Sequence, residues 1–206
     1  MKTISIVSRK GGVGKSTLSI SIATAAALKK KETALIDLDP QCSASKWSDS
    51  RDAEYPAVIS CQASRLENVL EAANGEGADF VVIDSAPHSE SGTLAAIRAA
   101  DLILIPCQPS ILDLRAIADT IDLVNLTKKT ATVVLNAVPT RGSLGDEAED
   151  ALKEYKIPVA PVRISERTAF VRCLSGGLSV MEYEPRGKAA DEIWQLYKWV
   201  CKQVKV

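Results

Sequence analysis

Short continuous apolar runs alternate along this chain with longer segments in which apolar residues recur every three to four positions. The short runs are typical of buried β-strands, and the longer segments are typical of helices with one apolar face. The predicted strands are Ile4–Val7, Thr33–Ile36, Ala57–Cys61, Phe80–Ile83, Asp101–Pro106, Ala131–Val138 and Val159–Ile164. Strands and helices therefore alternate from end to end, which predicts an α/β fold with a doubly wound, mostly parallel sheet flanked by helices.

The segments between the strands differ in how clearly they read as helices. The predicted helices include Leu18–Leu28, Leu66–Ala73 and Ser143–Tyr155, and another follows the strand that ends at Pro106. In contrast, the segment from Ser43 to Pro56 is polar, has Trp47 as its only large apolar residue, and is expected to be partly mobile.

The last predicted helix has one apolar face. The stripe consists of Ile193, Leu196, Tyr197, Val200, Cys201 and Val204. The opposite face is not strongly basic, so the pattern predicts a helix that docks on the domain rather than one that lies on a membrane.

Length and composition are those of one domain with a large core. The chain has 206 residues, a mass of 22.0 kDa and 46 % hydrophobic residues, which predicts a single domain over 1–206. The glycine-rich stretch that begins at Ser8 leaves no room before it for a separate N-terminal DNA-binding domain. There is no signal segment and no apolar run of about 18 residues, so a cytoplasmic protein without membrane attachment is expected. The five cysteines are scattered without a C-x-x-C pair, which favours reduced thiols over a disulfide framework or a metal site.

The charged residues are unevenly distributed along the chain. The net charge is −1, so no overall positive field indicates nucleic acid. Residues 160–206 nevertheless contain eight Lys/Arg and five Asp/Glu, an excess of three positive charges that leaves −4 for the rest. This excess is either a DNA-contacting patch or an ordinary solvated face.

The clearest chemical signal is the glycine-rich stretch Ser8–Thr17, which lies between a predicted strand and a predicted helix. Glycines there let consecutive backbone N–H groups point inward at a helix N-terminus, and this arrangement binds phosphate. Lys15 would then reach the β- and γ-phosphates, and the Ser16 hydroxyl would bind Mg²⁺. The predicted nucleotide-binding residues of this loop are Gly11, Gly12, Val13, Gly14, Lys15, Ser16 and Thr17.

Carboxylates follow two other predicted strands. Asp37 and Asp39 follow Ile36, and Asp84 follows Ile83. Side chains at the carboxyl ends of parallel strands line the crevice where ligands bind, so these groups would support Mg²⁺ or the attacking water. An Asp before Pro is also common in plain turns, which is the alternative for Asp39.

The loop Lys10-Gly11-Gly12-Val13-Gly14-Lys15-Ser16-Thr17 resembles the deviant Walker A motif of the ParA/MinD family of P-loop ATPases. It has Arg9 where the general pattern has glycine, and it adds Lys10. In that family the added lysine reaches across a dimer interface to the partner's nucleotide. Asp37 to Gln41 resembles the family's D-x-D-P-Q switch motif, and Asp84 its Walker B aspartate. The stretch from Glu166 to Ala190 resembles the C-terminal part of small plasmid-partition ATPases.

The resemblance implies a slow, Mg²⁺-dependent ATPase that is gated by homodimerisation. Lys10, Lys15 and Asp39 would be catalytic, with Asp39 positioning the water, and Ser16, Asp37 and Asp84 would support the metal. Asn136 resembles the residue that reads adenine in the wider family, although a turn-capping asparagine is the alternative. The ATP-bound dimer would bind DNA without sequence preference, and a ParB-type centromere-binding protein would trigger hydrolysis and release. Candidate DNA contacts are Arg163, Arg167, Arg172 and Lys188.

Other functions remain open from the residues alone. A MinD-like positioner would act on a membrane or a protein assembly, and a metabolic P-loop enzyme would need an acceptor pocket that no second polar cluster indicates. An iron–sulfur carrier would need bridging cysteines with a different spacing. His88, the only histidine, lies in a predicted second switch loop, either as an exposed side chain or as a catalytic one. DNA partition, of a plasmid or a chromosome, is the function that the resemblance favours, with nucleoid association in the ATP state.

Overall fold

A computed structural model describes residues 1–87 and 89–206, so the role considered for His88 lies outside the described residues. Its centre is a six-stranded sheet in which all paired strands are parallel. The strands are β1 (Lys2–Ile6), β2 (Thr33–Asp37), β3 (Ala57–Ser60), β4 (Phe80–Asp84), β5 (Leu102–Cys107) and β6 (Ala131–Leu135). Their spatial order is β3-β2-β4-β1-β5-β6. The predicted fold class is confirmed.

Helices cover both faces of the sheet. The helices are α1 (Lys15–Leu28), α2 (Ser43–Asp49), α3 (Leu66–Gly75), α4 (Glu90–Ala99), α5 (Ile111–Thr127), α6 (Leu144–Leu152), α7 (Thr168–Ser175), α8 (Val180–Tyr183) and α9 (Lys188–Val204). One buried apolar cluster joins the sheet to α1, α2 and α7–α9, and the other joins it to α3–α6. Successive strand side chains point to opposite faces, so fully buried strands of this kind need apolar residues at nearly every position.

The seventh predicted strand, Val159–Ile164, is wrong. The segment lies beside β6 and exchanges backbone hydrogen bonds with it, including Ala160 N–H to Val133 O at 2.8 Å. It pairs only as isolated bridges at Val159 and Ser165, however. After Ala160, the next residue that donates to β6 is Ile164, to Leu135 O, so four residues of the segment span two of β6 and the ladder is interrupted.

The polar segment from Ser43 to Pro56, for which no helix was predicted, forms α2 over its first half. Trp47 on this helix is buried, with 4 % of its surface exposed. The predicted apolar stripe of α9 is confirmed, because all its members are buried except the half-buried Cys201. In the described ranges, the helices are all too short or too polar to traverse a lipid bilayer.

The strand order brings the chemical residues together. β1 lies between β4 and β5, and β2 lies on the far side of β4. Because the strands are parallel, the loop after β1, Asp84 at the end of β4 and Asp37 at the end of β2 reach the same edge, and Asp37 pairs in register with Asp84. A crevice at this edge is where open α/β sheets bind ligands.

Candidate nucleotide site

The loop after β1 has the backbone conformation of a phosphate cradle. Gly12 and Gly14 have φ angles of +78° and +90°, which side-chain-bearing residues rarely adopt. Gly14 is the N-cap of α1, and the helix begins at Lys15, one turn earlier than predicted. The N–H groups of this first turn therefore end at the loop, where the helix dipole favours a negative charge.

Lys15 lies inside the cradle, with only 6 % of its surface exposed. Its ammonium donates to the Lys10 carbonyl at 2.9 Å. Burial lowers the pKa of Lys15, while the nearby carboxylates of Asp84 and Asp39 oppose that shift. A buried cation beside free helix N–H groups is a strong site for phosphate.

Asp84 is fully buried at the end of β4. Its Oδ1 accepts from the Ser19 hydroxyl at 3.1 Å, and its Oδ2 has no hydrogen-bond partner within the described part of the chain. Burial raises the pKa of Asp84 to about 7, although the nearby Ser16 and Ser19 hydroxyls and the charge of Lys15 oppose this. An unpartnered carboxylate oxygen beside Ser16 fits a magnesium-bound water.

Asp84→Asn should stabilise the nucleotide-free protein, and more so at pH 8 than at pH 5. The raised pKa means that the folded state keeps a proton that the unfolded state loses, so stability falls as pH rises from about 4 to about 7. With a folded-state pKa of about 7, the gain in unfolding free energy should be about 2–3 kcal/mol larger at pH 8. Urea unfolding without Mg²⁺ measures it. Asp122→Asn, at an exposed residue, serves as the control. An equal gain in stability at both pH values would contradict the raised pKa of Asp84.

Asp37, predicted to support the metal, lies at the end of β2, and its carboxylate accepts hydrogen bonds from the segment that follows. Its Oδ1 accepts from the Asp39 N–H at 3.0 Å, and its Oδ2 accepts from the N–H groups of Ala44 and Ser45 at 3.0 and 3.1 Å. The Ser45 hydroxyl also reaches Oδ2, at 3.3 Å. Asp37 therefore caps α2 and shapes the segment that carries Asp39.

Asp39 stands at the mouth of the crevice and is half-buried. Its Oδ1 accepts from the Gln41 N–H at 2.9 Å, which is an Asx-type turn. Its charge acts on the Lys15 ammonium. The turn alternative and the catalytic prediction are thus compatible, because the same carboxylate closes the turn and faces the phosphate-binding lysine.

Asn136 follows β6 and contacts the phosphate loop directly. Its Nδ2 donates to the Val13 carbonyl at 2.7 Å. A Cβ at Gly14 would lie 2.2 Å from the same Nδ2. Asn136 therefore braces the phosphate loop, a contact that neither the adenine-reading nor the turn-capping prediction included. Gly14 is required for this close approach.

The added lysine, Lys10, is held within its own subunit. Its ammonium lies 2.8 Å from Oδ2 of Asp113, a buried residue in the first turn of α5. Ser110 caps the same turn, and its hydroxyl hydrogen-bonds the Asp113 carboxylate. Lys10 itself remains partly exposed, with 34 % of its side chain accessible.

Sequence reasoning missed Asp113 and a second residue, Gln108, whose Nε2 donates to the Gly12 carbonyl at 3.0 Å. The signal for Asp113 is the S-x-x-D pattern from Ser110, which indicates a helix cap but not the long-range partner. Nothing local indicates Gln108, because its contact depends on β5 lying beside β1.

The four candidate DNA contacts are in different environments. Arg163 forms ion pairs with Asp146 and Glu149, and Arg167 pairs with Glu192 at 2.6 Å. Arg172 and Lys188 are exposed and take part in none of the salt bridges found among residues 1–87 and 89–206.

Residues 4–180 match the model of the CobQ/CobB/MinD/ParA nucleotide-binding domain. The chain belongs to this family. It is 31 % identical to the Halothiobacillus neapolitanus maintenance of carboxysome distribution protein A over 94 % of both chains. The Gloeobacter kilaueensis protein of the same name is 34 % identical and is covered over 94 % of its length by 98 % of this chain. The sporulation initiation inhibitor Soj of Bacillus subtilis is 25 % identical, over 97 % of this chain and 98 % of Soj.

Solved structures of the family share the fold. An ATP complex of Cyanothece McdA superposes with a TM-score of 0.76 at 19 % identity, over 100 % of this chain and 97 % of McdA. The Mg-ADP complex of Pyrococcus horikoshii MinD gives a TM-score of 0.80 at 18 % identity, over 97 % and 95 % of the two chains. As a member of this family, the present chain is a P-loop ATPase, and its ligands are ATP and Mg²⁺. Its glycine cradle, its buried Lys15 and the unpartnered oxygen of Asp84 fit both.

Among the described residues, no group of three or more His, Cys, Asp or Glu side chains is placed to hold a metal by itself. All five cysteines are free thiols.

Proposed function

We propose that this chain is an ATP-dependent dimerising switch that distributes a large cargo along DNA. The observation that carries the proposal is Lys10, an additional cation at the rim of a complete phosphate loop, held 2.8 Å from Asp113 in its own subunit. A P-loop does not need this cation for its own phosphates, because Lys15 already occupies the cradle. Lys10 thus has no role at the phosphates of its own subunit, and release from Asp113 would let it reach the nucleotide of a second subunit.

Hydrolysis in this proposal is water attack on the γ-phosphate. Lys15 and the N–H groups of the loop bind and orient the phosphates, and Asp39 positions the water. Ser16 would hold Mg²⁺ with support from Asp84, and the ion, when bound, would neutralise phosphate charge. Lys10 from the partner supplies the last positive charge, as an arginine finger does in other NTPases. Turnover is then slow in the monomer and set by dimerisation.

The cargo has two candidates, DNA and a protein assembly. DNA partition is the prediction from the sequence, and the similarity to a Myxococcus xanthus protein named chromosome partitioning protein ParA, 24 % identical over 98 % of this chain, supports it. The two relatives with 31 and 34 % identity are named for carboxysome distribution, and this similarity favours a protein assembly. A partner protein on the cargo would trigger hydrolysis in either case, a ParB-type protein if the cargo is DNA.

The proposed DNA-contacting surface lies around the N-terminus of α9. An open cleft of about 1000 Å³ there is lined by Arg167, Arg186 and Lys188, together with Glu166 and Glu184. Arg172 and Lys188 are the stronger candidates for phosphate contacts, since the charges of Arg163 and Arg167 are already balanced by carboxylates. Dimerisation would double the number of contacts, which makes binding depend on ATP.

Filter binding on random-sequence DNA tests whether DNA is the track along which the cargo is distributed. With a non-hydrolysable ATP analogue the dimer should be retained, and if it neutralises about six phosphates, log affinity should fall with log salt at a slope near −5. Arg172→Ala with Lys188→Ala should reduce the slope, whereas Arg163→Ala should change it less because of its ion pairs. Equal retention with ADP, or none with the analogue at low salt, would exclude DNA as the track.

A further inference from the structure

Helix α2 connects the nucleotide site to the C-terminal helices. Its N-terminus is fixed by Asp37, whose carboxylate also fixes the Asp39 backbone. At its other end, Ser50 and Arg51 contact the loop between α7 and α8. A helix of this length spans about 10 Å, and its hydrogen-bonded backbone moves as one body. The segment with Asp39 and the surface of α7 are thus joined by one short rigid element.

Arg51 makes the junction at the far end of α2. Its side chain is 2 % exposed and forms an ion pair with Glu182 at 2.9 Å. It also donates to the carbonyls of Gly177, Tyr55 and Ala53 at 2.8, 2.9 and 3.2 Å. With a second bond to Glu182 at 3.3 Å, all five guanidinium N–H groups have an acceptor. A buried donor left without an acceptor is costly, so these contacts hold together or break together.

Trp47 and Gly177 tighten the same junction. The Arg51 guanidinium lies over the Trp47 ring at 4.4 Å from the centroid, and the indole N–H donates to the Leu178 carbonyl at 3.2 Å. Gly177 has a φ of +66°, and a Cβ there would lie 2.3 Å from the Ser50 carbonyl oxygen. The backbones of Gly177 and Ser50 are in contact at this point, so a shift of α2 must also displace the α7–α8 loop.

We propose that Arg51 is a positioning residue that transmits the state of the nucleotide site to α7. When the segment carrying Asp39 closes on the γ-phosphate, α2 shifts, and the Arg51 contacts move the Gly177 loop and α7 with it. The outer surface of α7 carries the exposed Arg172 and Val171, the latter 72 % exposed, so that surface changes between the ATP and ADP states. This inference rests on the proposed ATP switch, but it does not require DNA as the track.

Hydrogen exchange read by mass spectrometry tests the transmission on the full chain. Exchange is compared between Mg²⁺ with ADP and Mg²⁺ with a non-hydrolysable ATP analogue. In the wild type, both the segment 38–46 and the segment 168–183 should change their exchange rates. Arg51→Met should keep the first response and lose the second. Arg98→Met, an exposed arginine on α4, controls for the lost charge and should keep both responses.

Trp47→Phe provides a gentler variant if Arg51→Met does not fold. It keeps an aromatic ring under the Arg51 guanidinium but removes the hydrogen bond to Leu178. It should therefore weaken the response of 168–183 only. Two results would overturn the proposal: a wild type in which 38–46 responds and 168–183 does not, or a full response of 168–183 in folded Arg51→Met or Trp47→Phe. Loss of the response at 38–46 in the wild type would instead contradict the proposed ATP switch.

Discussion

Lys10→Ala should reduce ATP hydrolysis by about 10³-fold or more while leaving nucleotide binding by the monomer largely intact. The expected size is that of a cation supplied across an interface in related NTPases. Nucleotide binding persists because Lys15 and the loop N–H groups remain. Steady-state ATPase rates at several protein concentrations, together with titration of a fluorescent ATP analogue, measure both effects.

The ion pair between Lys10 and Asp113 requires a control, because Lys10→Ala also leaves a buried carboxylate without its partner. Since the lysine is partly exposed, this should cost the monomer about 1–2 kcal/mol of stability. Asp113→Asn breaks the same ion pair but keeps the lysine, so it should retain most of the turnover. A wild-type rate that is independent of protein concentration and unchanged in Lys10→Ala would identify Lys10 as a solvated loop residue.

Gly14→Ala should weaken ATP binding on the order of 100-fold, because two costs add at this residue. Its φ of +90° is strained for alanine, and the new Cβ would lie 2.2 Å from Nδ2 of Asn136. Relief of that contact requires Asn136 to leave the Val13 carbonyl, which loosens the cradle. Isothermal titration with Mg²⁺ and the analogue measures the change.

Gly142 provides a matched control for Gly14. Its φ is +91°, and a Cβ there would meet no atom within 4 Å. Gly142→Ala should therefore lose about 1 kcal/mol of stability from backbone strain without a change in ATP affinity. In the double variant with Asn136→Ala, Gly14→Ala should regain part of its affinity. Normal affinity in Gly14→Ala alone would show that the close approach of Asn136 does not shape the site.

The strands of the sheet could be predicted because each one is a short, mainly apolar run, and all except the edge strand β3 are buried on both faces. β6 followed this rule, but the run after Pro158 did not, because four of its residues span two of β6, an offset that a local hydrophobicity pattern does not register. Helix α2 was missed for a different reason. Its sequence is polar, and its stability comes from Asp37 at one end and the buried Trp47 and Arg51 contacts at the other.

The phosphate loop and Asp84 could be placed from sequence, because their chemistry is local and follows a strand. Residues that act over long sequence separations could not. Asp37 was predicted to support the metal from its place after β2, and that place did not indicate its hydrogen bonds to the backbone of the segment up to Ser45, because they require α2 to form. The partner of Lys10, more than a hundred residues away, depends on the order of β1 and β5 in the sheet.

Sedimentation velocity of the wild type and Lys10→Ala tests the central claim, an ATP-bound dimer completed by Lys10. With Mg²⁺ and a non-hydrolysable ATP analogue, the 22.0 kDa wild type should sediment as a dimer, and with ADP as a monomer. Lys10→Ala should shift toward the monomer at the same analogue concentration. A wild type that stays monomeric with the analogue, under conditions where binding is saturated, would contradict the account.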